Sequence, residues 1–354
     1  MPLDQDEALR EFRHAGLPTG LIALAAALGL AVPAKAVTID DAAGLSAAAA
    51  AGEPFGSVVR LAFDDGVSSG VCSGALIAAG AVLTADHCVV GFSAADVTVE
   101  FRAGSGALEA TRGVGAVFVL GDLYDGSNLL DGGDLAVLAL ADPVTDRDPF
   151  ALVSDLPSGA TARLVGYGRH GLGSTGAGPI DLVRRAADAT VDAYGAAPVP
   201  YAPGTPDIGS PTRPQFFSGS ENILSADFDD TSDDATGDGS NTLWHVGSSG
   251  ATLSLEGSGA PGDSGGPLLI RTGLAWAIAG VLSGGAGLSG DPLAGYGGVA
   301  YWTGVRSVEA TAFLSSFEGV RYVATVPVPA PAWLLLAGAA ALAGLRRNRP
   351  VDGG

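Results

Sequence analysis

The sequence predicts an all-β protein that contains a closed antiparallel barrel. Three observations lead to this fold class. Charged residues make up only 16% of the chain, whereas Gly, Ala, Val and Leu are abundant. Long helical patterns are few, and short apolar or alternating runs recur between turns of Gly, Asp and Ser. Such runs are typical of strands, and their regular spacing suits a barrel, which leaves no open sheet edge.

The predicted strands fall into two series that are separated by a crossover. The crossover is the Pro-, Asp- and Ser-rich stretch 142–158, and the second series starts at Ala162–Gly168. A helix is predicted at Ser307–Phe317, where apolar residues recur on one face. The predicted strands of the first series are Ser57–Phe63, Gly74–Ile77, Ala81–Leu83, Val97–Phe101, Val114–Leu120 and Asp134–Leu140.

The N-terminal segment has the pattern of an export signal. Residues 17–32 form an apolar run, and Ala34-Lys35-Ala36 follows it as a small-x-small cleavage site. We therefore expect residues 1–36 to be a signal peptide that signal peptidase removes before Val37. Residues 37–55 are rich in Ala and Gly and are predicted to be a lead-in or a short propeptide.

The C-terminal segment, residues 319–354, has three parts. A Pro-rich motif (Val326–Pro331) precedes a short hydrophobic stretch (Ala332–Leu345) and an Arg-rich end. The stretch is short for a membrane helix of about 20 residues, and the arginines would stay cytoplasmic. This tail resembles the bacterial PEP-CTERM sorting signal, although Val328 stands where that signal has glutamate. The resemblance implies a transient membrane tether, cleavage by an exosortase-type enzyme and delivery to the cell envelope, surface or extracellular matrix. A permanent short anchor is the alternative.

The charge of the chain excludes one class of partner. The 38 acids against 18 bases give a formal net charge of −20. Nucleic acids and anionic membrane surfaces are therefore not expected as partners. Solubility of a secreted protein is sufficient to explain the acidity.

A serine between glycines provides the candidate nucleophile. Ser264 lies in Gly262–Leu268, just after an aspartate and just before a short apolar run. The glycines permit backbone angles that a side chain would forbid. The backbone N–H groups of Gly262 and Ser264 can then converge as an oxyanion hole. An ordinary turn serine is the alternative. Because a serine hydroxyl alone is a poor nucleophile, this interpretation requires a base and an orienting carboxylate elsewhere in the chain.

Two upstream motifs provide these groups. His87 lies in Val82–Cys88 and Asp134 in Gly133–Leu140, so the order along the chain is His, Asp, Ser. Imidazole titrates near neutrality and can take the serine proton and return it to the leaving amine. Asp134 would fix the imidazole tautomer and stabilise the imidazolium. The alternatives are a structural histidine and an aspartate that caps the entry to a buried strand.

These three motifs, in this order, resemble the trypsin/chymotrypsin-like serine protease family over roughly residues 55–318. The resemblance implies two six-stranded antiparallel β-barrels, residues 56–150 and 151–318, with the active site between them and a short C-terminal helix. Residues 196–250 would be an insertion in the second barrel. The implied function is an exported serine endopeptidase that acts on protein or peptide substrates through an acyl-enzyme. A non-catalytic matrix or adhesion module on the same fold, and an esterase with the same triad, are the alternatives.

The resemblance also implies where substrate binds. Ser258 takes the position of the floor of the specificity pocket, and because it is uncharged we expect preference for an apolar or small side chain. Ser283 would hydrogen-bond near Asp134, and Gly285 would pair with the substrate backbone as an added strand. Gly284 stands where the family has tryptophan, which predicts a wider cleft.

The only two cysteines are Cys72 and Cys88, so one intramolecular pairing exists. In an exported chain they should be oxidised, and a reduced pair is the alternative. The resemblance implies a disulfide beside His87, to which loop-closure arguments assign roughly 3 kcal/mol.

Family members commonly need a freed Ile or Val amine that pairs with the aspartate before the nucleophile. The resemblance therefore makes Asp263 the partner of the N-terminus, with Val37 or Ile39 as candidates for the freed residue.

Two departures from the family pattern affect the site. Asp86 precedes the histidine where alanine is usual, and a carboxylate turned towards the ring would raise the pKa of the imidazole. An adjacent residue on extended backbone points away from the ring, so Asp134 remains the predicted orienting group. Ala260 replaces a cysteine near the nucleophile, which predicts a more mobile pocket wall.

No cofactor or metal is predicted for catalysis. Within the predicted insertion an acidic loop could bind calcium through hard oxygen ligands, but its spacing does not match a calcium-binding EF-hand loop. A solvated acidic loop is therefore the favoured interpretation. The acids of this loop are Asp227, Asp229, Asp230, Asp233, Asp234 and Asp238.

Overall fold

The computed structural model of the protein describes residues 37–121, 131–157, 159–194, 222–230, 243, 251–286 and 292–325. Strands dominate these residues, which contain two α-helices and two short 3-10 turns. The all-β fold class is therefore confirmed. In the described part of the chain, no helix is both long and apolar enough to cross a membrane. The predicted signal peptide and the tail from residue 326 onwards lie outside it.

A strand and a helix open the described chain: β1 (Val37–Ile39) and α1 (Gly44–Gly52). The run of alanines in α1 explains the helix, because Ala has the highest helix propensity. Val37 and Ile39 are fully buried. The segment that the sequence left as a lead-in or propeptide is thus part of the folded body.

The first barrel is closed and antiparallel, as predicted. Its strands are β2 (Val58–Asp64), β3 (Ser69–Ala78), β4 (Ala81–Thr84), β5 (Val97–Arg102), β6 (Leu108–Val119) and β7 (Ala136–Leu140). They follow one another around the barrel in the order β2-β3-β4-β7-β6-β5. The 3-10 turn Asp86–Cys88 follows β4 and carries the candidate base.

The second half begins inside the predicted crossover. Its strands are β8 (Ala151–Val153), β9 (Thr161–Gly166), β10 (Arg169–Leu172), β11 (Gly176–Ile180), β12 (Arg185–Thr190), β13 (Ala193–Tyr194), β14 (Ile223–Asp227), β15 (Gly257–Ser258), β16 (Pro267–Thr272), β17 (Ala275–Ala286) and β18 (Val299–Gly304). Helix α2 (Val308–Ser315) and strand β19 (Tyr322–Val323) close the described chain. Ser307 caps α2, since the Ala310 amide donates to its hydroxyl at 3.0 Å.

The second set of strands differs from the predicted closed six-stranded barrel. In the described residues it forms a nine-stranded sheet with the main order β12-β9-β16-β17-β18-β14-β13, and a separate sheet β11-β10-β1-β15. Strand β17 is 12 residues long and pairs with β16, β18 and the parallel strand β8, so the sheet branches there. Strand β8 in turn pairs with β19.

The predicted insertion 196–250 is only partly an insertion. Most of it lies outside the described residues, but β14 belongs to the main sheet, where it pairs with β18. All five residues of β14 are buried. Asp227 and Asp229 are 3% and 6% exposed. The prediction of a solvated acidic loop is therefore wrong for these two acids, because Asp227 ends the buried strand β14 and Asp229 follows it within the buried part of the chain.

Candidate active site

A pair of hydrogen bonds joins His87 to Asp134. The His87 backbone amide donates to one carboxylate oxygen of Asp134, and the ring Nδ1 lies 2.8 Å from the other. Asp134 is 1% exposed, whereas the His87 side chain is 20% exposed. Because an ionised carboxylate only accepts, Nδ1 is the donor and Nε2 remains available as a base. The structure thus fixes the tautomer that the chemistry requires.

Asp86 is close to this pair but does not orient the imidazole. The Asp86 side chain is 6% exposed. Burial, together with the charge of Asp134, raises the pKa of Asp86 to about 6, while His87 opposes the rise. It is Asp134, and not Asp86, that hydrogen-bonds the ring, in accord with the sequence expectation.

The disulfide Cys72–Cys88 attaches the histidine turn to β3, as the resemblance implied. The Cys88 sulfur lies 3.8 Å from His87 Nε2, so the bridge also packs beside the free ring nitrogen. In the described residues, Cys72, His87 and Cys88 are the only cluster of three potential metal ligands, with their ligand atoms within 4.8 Å of one another. Both sulfurs are consumed by the bridge. Asp233, Asp234 and Asp238 of the acidic loop lie outside the described residues, so the solvated loop stays a prediction for them, with calcium binding as the alternative.

The backbone of the serine turn requires a glycine at position 262. Gly262 has φ of +97°, and a Cβ there would lie 2.9 Å from Gly168 Cα. Only glycine satisfies both constraints. Among the described residues, none accepts a hydrogen bond from the amides of Gly262 or Ser264. Both N–H groups are therefore available to a developing oxyanion.

The turn is packed tightly against the first barrel. Gly265 has φ of +78°. A Cβ there would lie 2.1 Å from Thr84 Oγ1 and 2.4 Å from the Ser73 carbonyl oxygen. Glycine at this position is therefore needed for the approach of the two halves. The Ser73 hydroxyl donates to Gly262 O at 3.0 Å and accepts from the Tyr167 amide at 2.9 Å.

Asp263 is buried beneath the turn. Its carboxylate accepts hydrogen bonds from the amides of Gly168 at 2.7 Å and Ala260 at 3.0 Å. Burial raises the pKa of Asp263 to about 7, against the effects of these two bonds and of the Arg185 charge. The aspartate thus connects the backbone just before the nucleophile to the connection between β9 and β10.

Arg185 is the cation that acts on Asp263. It lies opposite Gly166 in the β9–β12 pair, and a Cβ at Gly166 would lie 2.1 Å from an Asp263 oxygen. Opposite residues of an antiparallel pair project to the same face, so the Arg185 side chain projects towards Asp263. Arg185 is fully buried and also pairs with Asp181 at 3.1 Å.

Strand β1 lies beside the pocket floor. Val37 pairs with His170 of β10, and the next residue, Thr38, pairs with Ser258. Both N-terminal candidates, Val37 and Ile39, are fully buried in this strand. In the uncleaved chain Val37 is still joined to the preceding residue, and the pairing of a freed Val37 amine with Asp263 stays a prediction.

One cavity of about 280 Å³ is lined by the predicted catalytic histidine and serine and by the predicted substrate-binding residues. His87, Ser264 and Ser258 line it. The substrate positions Ser283, Gly284 and Gly285 line it as well, together with the apolar side chains Leu282, Leu293 and Val299. The structure therefore brings all these residues together from distant parts of the chain.

Three expectations about this cavity need correction. The Ser283 hydroxyl pairs with the Thr303 hydroxyl at 2.8 Å and not with Asp134. The cleft is not simply widened at Gly284, because a Cβ there would lie 2.6 Å from the Tyr301 hydroxyl; the phenol uses the space that a larger side chain would need. The pocket wall at Ala260, which was expected to be mobile without a disulfide, is attached by the hydrogen bond that the Ala260 amide donates to Asp263 at 3.0 Å.

Tyr296 anchors the wall 292–298 to the N-terminal segment. Its hydroxyl donates to Asp40 Oδ2 at 2.9 Å and accepts from the Asp41 amide at 2.9 Å. The Tyr296 amide also donates to Gly173 O at 3.1 Å. Sequence reasoning missed Tyr296, Tyr301 and Ser73, since none of them lies in a motif and only the tertiary fold reveals their contacts.

Comparison with known proteins agrees with the geometry. The trypsin family model matches residues 47–188, a range that contains His87 and Asp134 but ends before Ser264. No curated protein matches the chain. The mostly-β fold with its closed barrel is a trypsin fold.

Proposed function

We propose that this protein is an exported serine endopeptidase that hydrolyses peptide bonds through an acyl-enzyme. The observation that carries the proposal is the His87–Asp134 hydrogen bond of 2.8 Å at a cavity that Ser264 also lines. A buried carboxylate, an imidazole with a free Nε2 and a serine on a glycine turn are the parts that this chemistry needs.

Each group has one task in the reaction. Ser264 Oγ attacks the substrate carbonyl carbon while His87 Nε2 takes the hydroxyl proton. The amides of Gly262 and Ser264 donate to the oxyanion of the tetrahedral intermediate. The imidazolium, stabilised by Asp134, then protonates the leaving amine, and the C–N bond breaks. Water, activated by His87, repeats the sequence on the ester and releases the acid.

The cavity supports a preference for small or apolar side chains. Ser258 in its lining is 5% exposed and uncharged. The lining residues Leu282, Leu293 and Val299 are apolar. A substrate Lys or Arg would find no carboxylate to pair with among the lining residues that the structure describes, and desolvating an unpaired charge is unfavourable. Gly285 at the edge of the cavity would pair with the substrate backbone.

Export and surface sorting belong to the same proposal. The signal-peptide pattern of residues 1–36 supports export, and the disulfide suits an oxidising compartment. The PEP-CTERM-like tail supports removal by an exosortase-type enzyme after a transient membrane tether. The protein would then reside in the bacterial envelope, at the surface or in the extracellular matrix, with proteins or peptides as substrates.

Activation by a freed N-terminus is also part of the proposal. Signal cleavage before Val37 would create an amine at the start of β1, beside His170 and the strand that holds Ser258. Val37 suits this role better than Ile39, because Ile39 is the last residue of β1. The partner of the amine would be Asp263.

A fluorophosphonate probe tests the proposed nucleophile directly. Mature protein starting at Val37 is expected to form a covalent adduct on Ser264, located by mass spectrometry. Ser264→Ala should abolish the adduct, whereas Ser105→Ala, which changes an exposed turn serine, should not. The proposal fails if folded protein forms no adduct on Ser264. A peptide library would then give the pocket preference of the active protein.

Two other functions make different predictions. An esterase would hydrolyse short ester substrates but leave folded and unfolded proteins intact. A matrix or adhesion module would keep its full binding effect in the Ser264→Ala variant. The His87 imidazole that Asp134 orients, at a cavity that Ser264 also lines, favours the endopeptidase over the module, because binding alone needs no oriented imidazole.

A further inference from the structure

Tyr301 occupies the part of the cleft that Gly284 leaves open. The two residues are opposite each other in the β17–β18 pair. A Cβ at Gly284 would lie 2.6 Å from Tyr301 Oη, 2.8 Å from Cζ and 3.0 Å from Cε2. The phenol ring therefore lies flat on the glycine. Thr303, the neighbour of Tyr301 on the same face of β18, is buried and hydrogen-bonds Ser283. Tyr301 is therefore the residue of this face that borders the cavity.

The Tyr301 hydroxyl faces the cavity with a free donor. Tyr301 is partly exposed and lines the cavity together with His87 and Ser264. No described residue hydrogen-bonds its hydroxyl. Burial and the charge of Asp134 raise the pKa of Tyr301, so the phenol stays neutral and keeps its proton at physiological pH. A phenol in this state donates readily to a neutral acceptor.

We propose that Tyr301 determines specificity on the acyl side of the scissile bond. Its ring forms the wall against a substrate side chain beside Gly284 and Gly285, and its hydroxyl donates a hydrogen bond to that side chain. This inference rests on the proposed endopeptidase function. The rest of the lining supports small or apolar side chains, but beside Tyr301 the hydroxyl changes this preference, and the favoured substrate residue there carries a neutral acceptor, as Asn and Gln do. Substrate Asp and Glu are disfavoured, because Asp134 is close to Tyr301 and the chain carries a net charge of −20.

Peptides that differ only in Gln or Leu at this position test the hydroxyl. The wild-type ratio of kcat/KM, Gln over Leu, is expected to exceed one, and Tyr301→Phe should lower the ratio roughly 2- to 12-fold, the range for one hydrogen bond. Tyr322→Phe is the matched control: it removes another second-half phenol, which donates to Val305 O at 3.0 Å away from the cavity. The control should keep the wild-type ratio.

The Gly284 contact provides a second test. Gly284→Ala places a methyl group against the phenol and should also lower the Gln/Leu ratio, whereas the same change in a Tyr301→Ala background should have little further effect. Such non-additivity identifies contacting residues. Equal effects of Gly284→Ala in both backgrounds would contradict the proposed contact.

Failure of this inference can be separated from failure of the endopeptidase proposal. Calorimetric binding of the Gln and Leu peptides to the Ser264→Ala variant reports the preference without turnover. A Gln preference that Tyr301→Phe reduces supports the role of Tyr301 even if no peptide is cleaved. An unchanged ratio, in binding or in turnover, overturns it even if Ser264 reacts with the fluorophosphonate probe.

Discussion

The Ser73 amide donates a 2.7 Å hydrogen bond to the carbonyl oxygen of Ser264. The nucleophile belongs to the second half of the chain and its hydrogen-bond donor to the first barrel. The Ser73 hydroxyl adds bonds to Gly262 O and from the Tyr167 amide. Ser73 therefore fixes the position of the turn Gly262–Ser264 relative to the first barrel, which carries His87.

Replacing Ser73 should reduce turnover more than substrate binding. Ser73→Ala removes both side-chain bonds but leaves the bond from its amide. At about 1 kcal/mol for each lost bond, we expect kcat to fall roughly 5- to 50-fold with KM nearly unchanged. Steady-state kinetics on a peptide substrate measure this. Ser57→Ala is the control, since Ser57 donates one bond to Asp148 O elsewhere in the first barrel; an equal loss in both variants would contradict the prediction.

Asp134 and Asp86 should have different effects on catalysis. Asp134→Asn disturbs the imidazole tautomer and is expected to lower kcat by about 10⁴-fold, as in the triad template. Asp86→Asn should lower kcat by less than about tenfold. It should also move the acid limb of the kcat/KM profile to lower pH, because a nearby carboxylate favours protonated imidazole. Kinetics from pH 4 to 9 measure both; an acid limb that stays in place in Asp86→Asn would show that its charge does not act on His87.

The N-terminus should affect activity through Asp263. If the Val37 amine pairs with Asp263, a chain that keeps Ala36 should be less active than one starting at Val37. We expect a partial loss, of roughly 10-fold, because Arg185 acts on Asp263 in the uncleaved chain as well. Active-site titration of the two forms measures the competent fraction. Equal activity of the two forms would indicate that Arg185 alone compensates the negative charge of Asp263.

Glu256 should make the protein less stable as pH rises. Burial raises the pKa of Glu256 from 4.5 to about 9, although the hydrogen bond from the Leu253 amide lowers it. The charges of Asp229, Asp192 and Asp227 add to the rise. Between these values the folded state holds a proton that the unfolded state releases, so stability falls with increasing pH across this window.

Glu256→Gln should therefore raise the Tm at pH 9 relative to wild type and change it much less at pH 5. The expected gain is at least about 1 kcal/mol, or roughly 2–4 °C. Thermal unfolding at both pH values measures it. Glu318→Gln, at an exposed site, is the control and should show no such difference. A gain that is equal at pH 5 and pH 9 would rule out proton uptake as its cause.

Removing the disulfide should affect stability and activity together. Cys72→Ala with Cys88→Ala is expected to lower the free energy of unfolding by about 3 kcal/mol. Because the Cys88 sulfur packs 3.8 Å from His87 Nε2, kcat should fall as well. Denaturant unfolding and kinetics of the double variant measure the two effects. Full activity at lowered stability would show that the bridge acts on folding alone.

Local patterns were enough for the fold class, the first barrel and the pairing of His87 with Asp134. Alternating runs predict strands, and the Ser264 and His87 motifs carry their chemistry in a few adjacent residues. The branching at β17 and the burial of Asp227 could not be predicted, because they depend on which distant strands pair. The same holds for Ser283, whose hydroxyl bonds Thr303, and for Tyr301, which becomes a cleft residue only because its partner across the sheet is glycine.

The contact at Gly265 has a consequence for how activity appears during synthesis. Synthesis up to residue 140 already includes His87 and Asp134. Ser264, whose hydroxyl is the proposed nucleophile, is added more than a hundred residues later. It takes its place only when a glycine backbone docks on Thr84 and Ser73. If the proposed peptidase function is correct, a nascent chain would cleave no substrate until both halves have folded on each other.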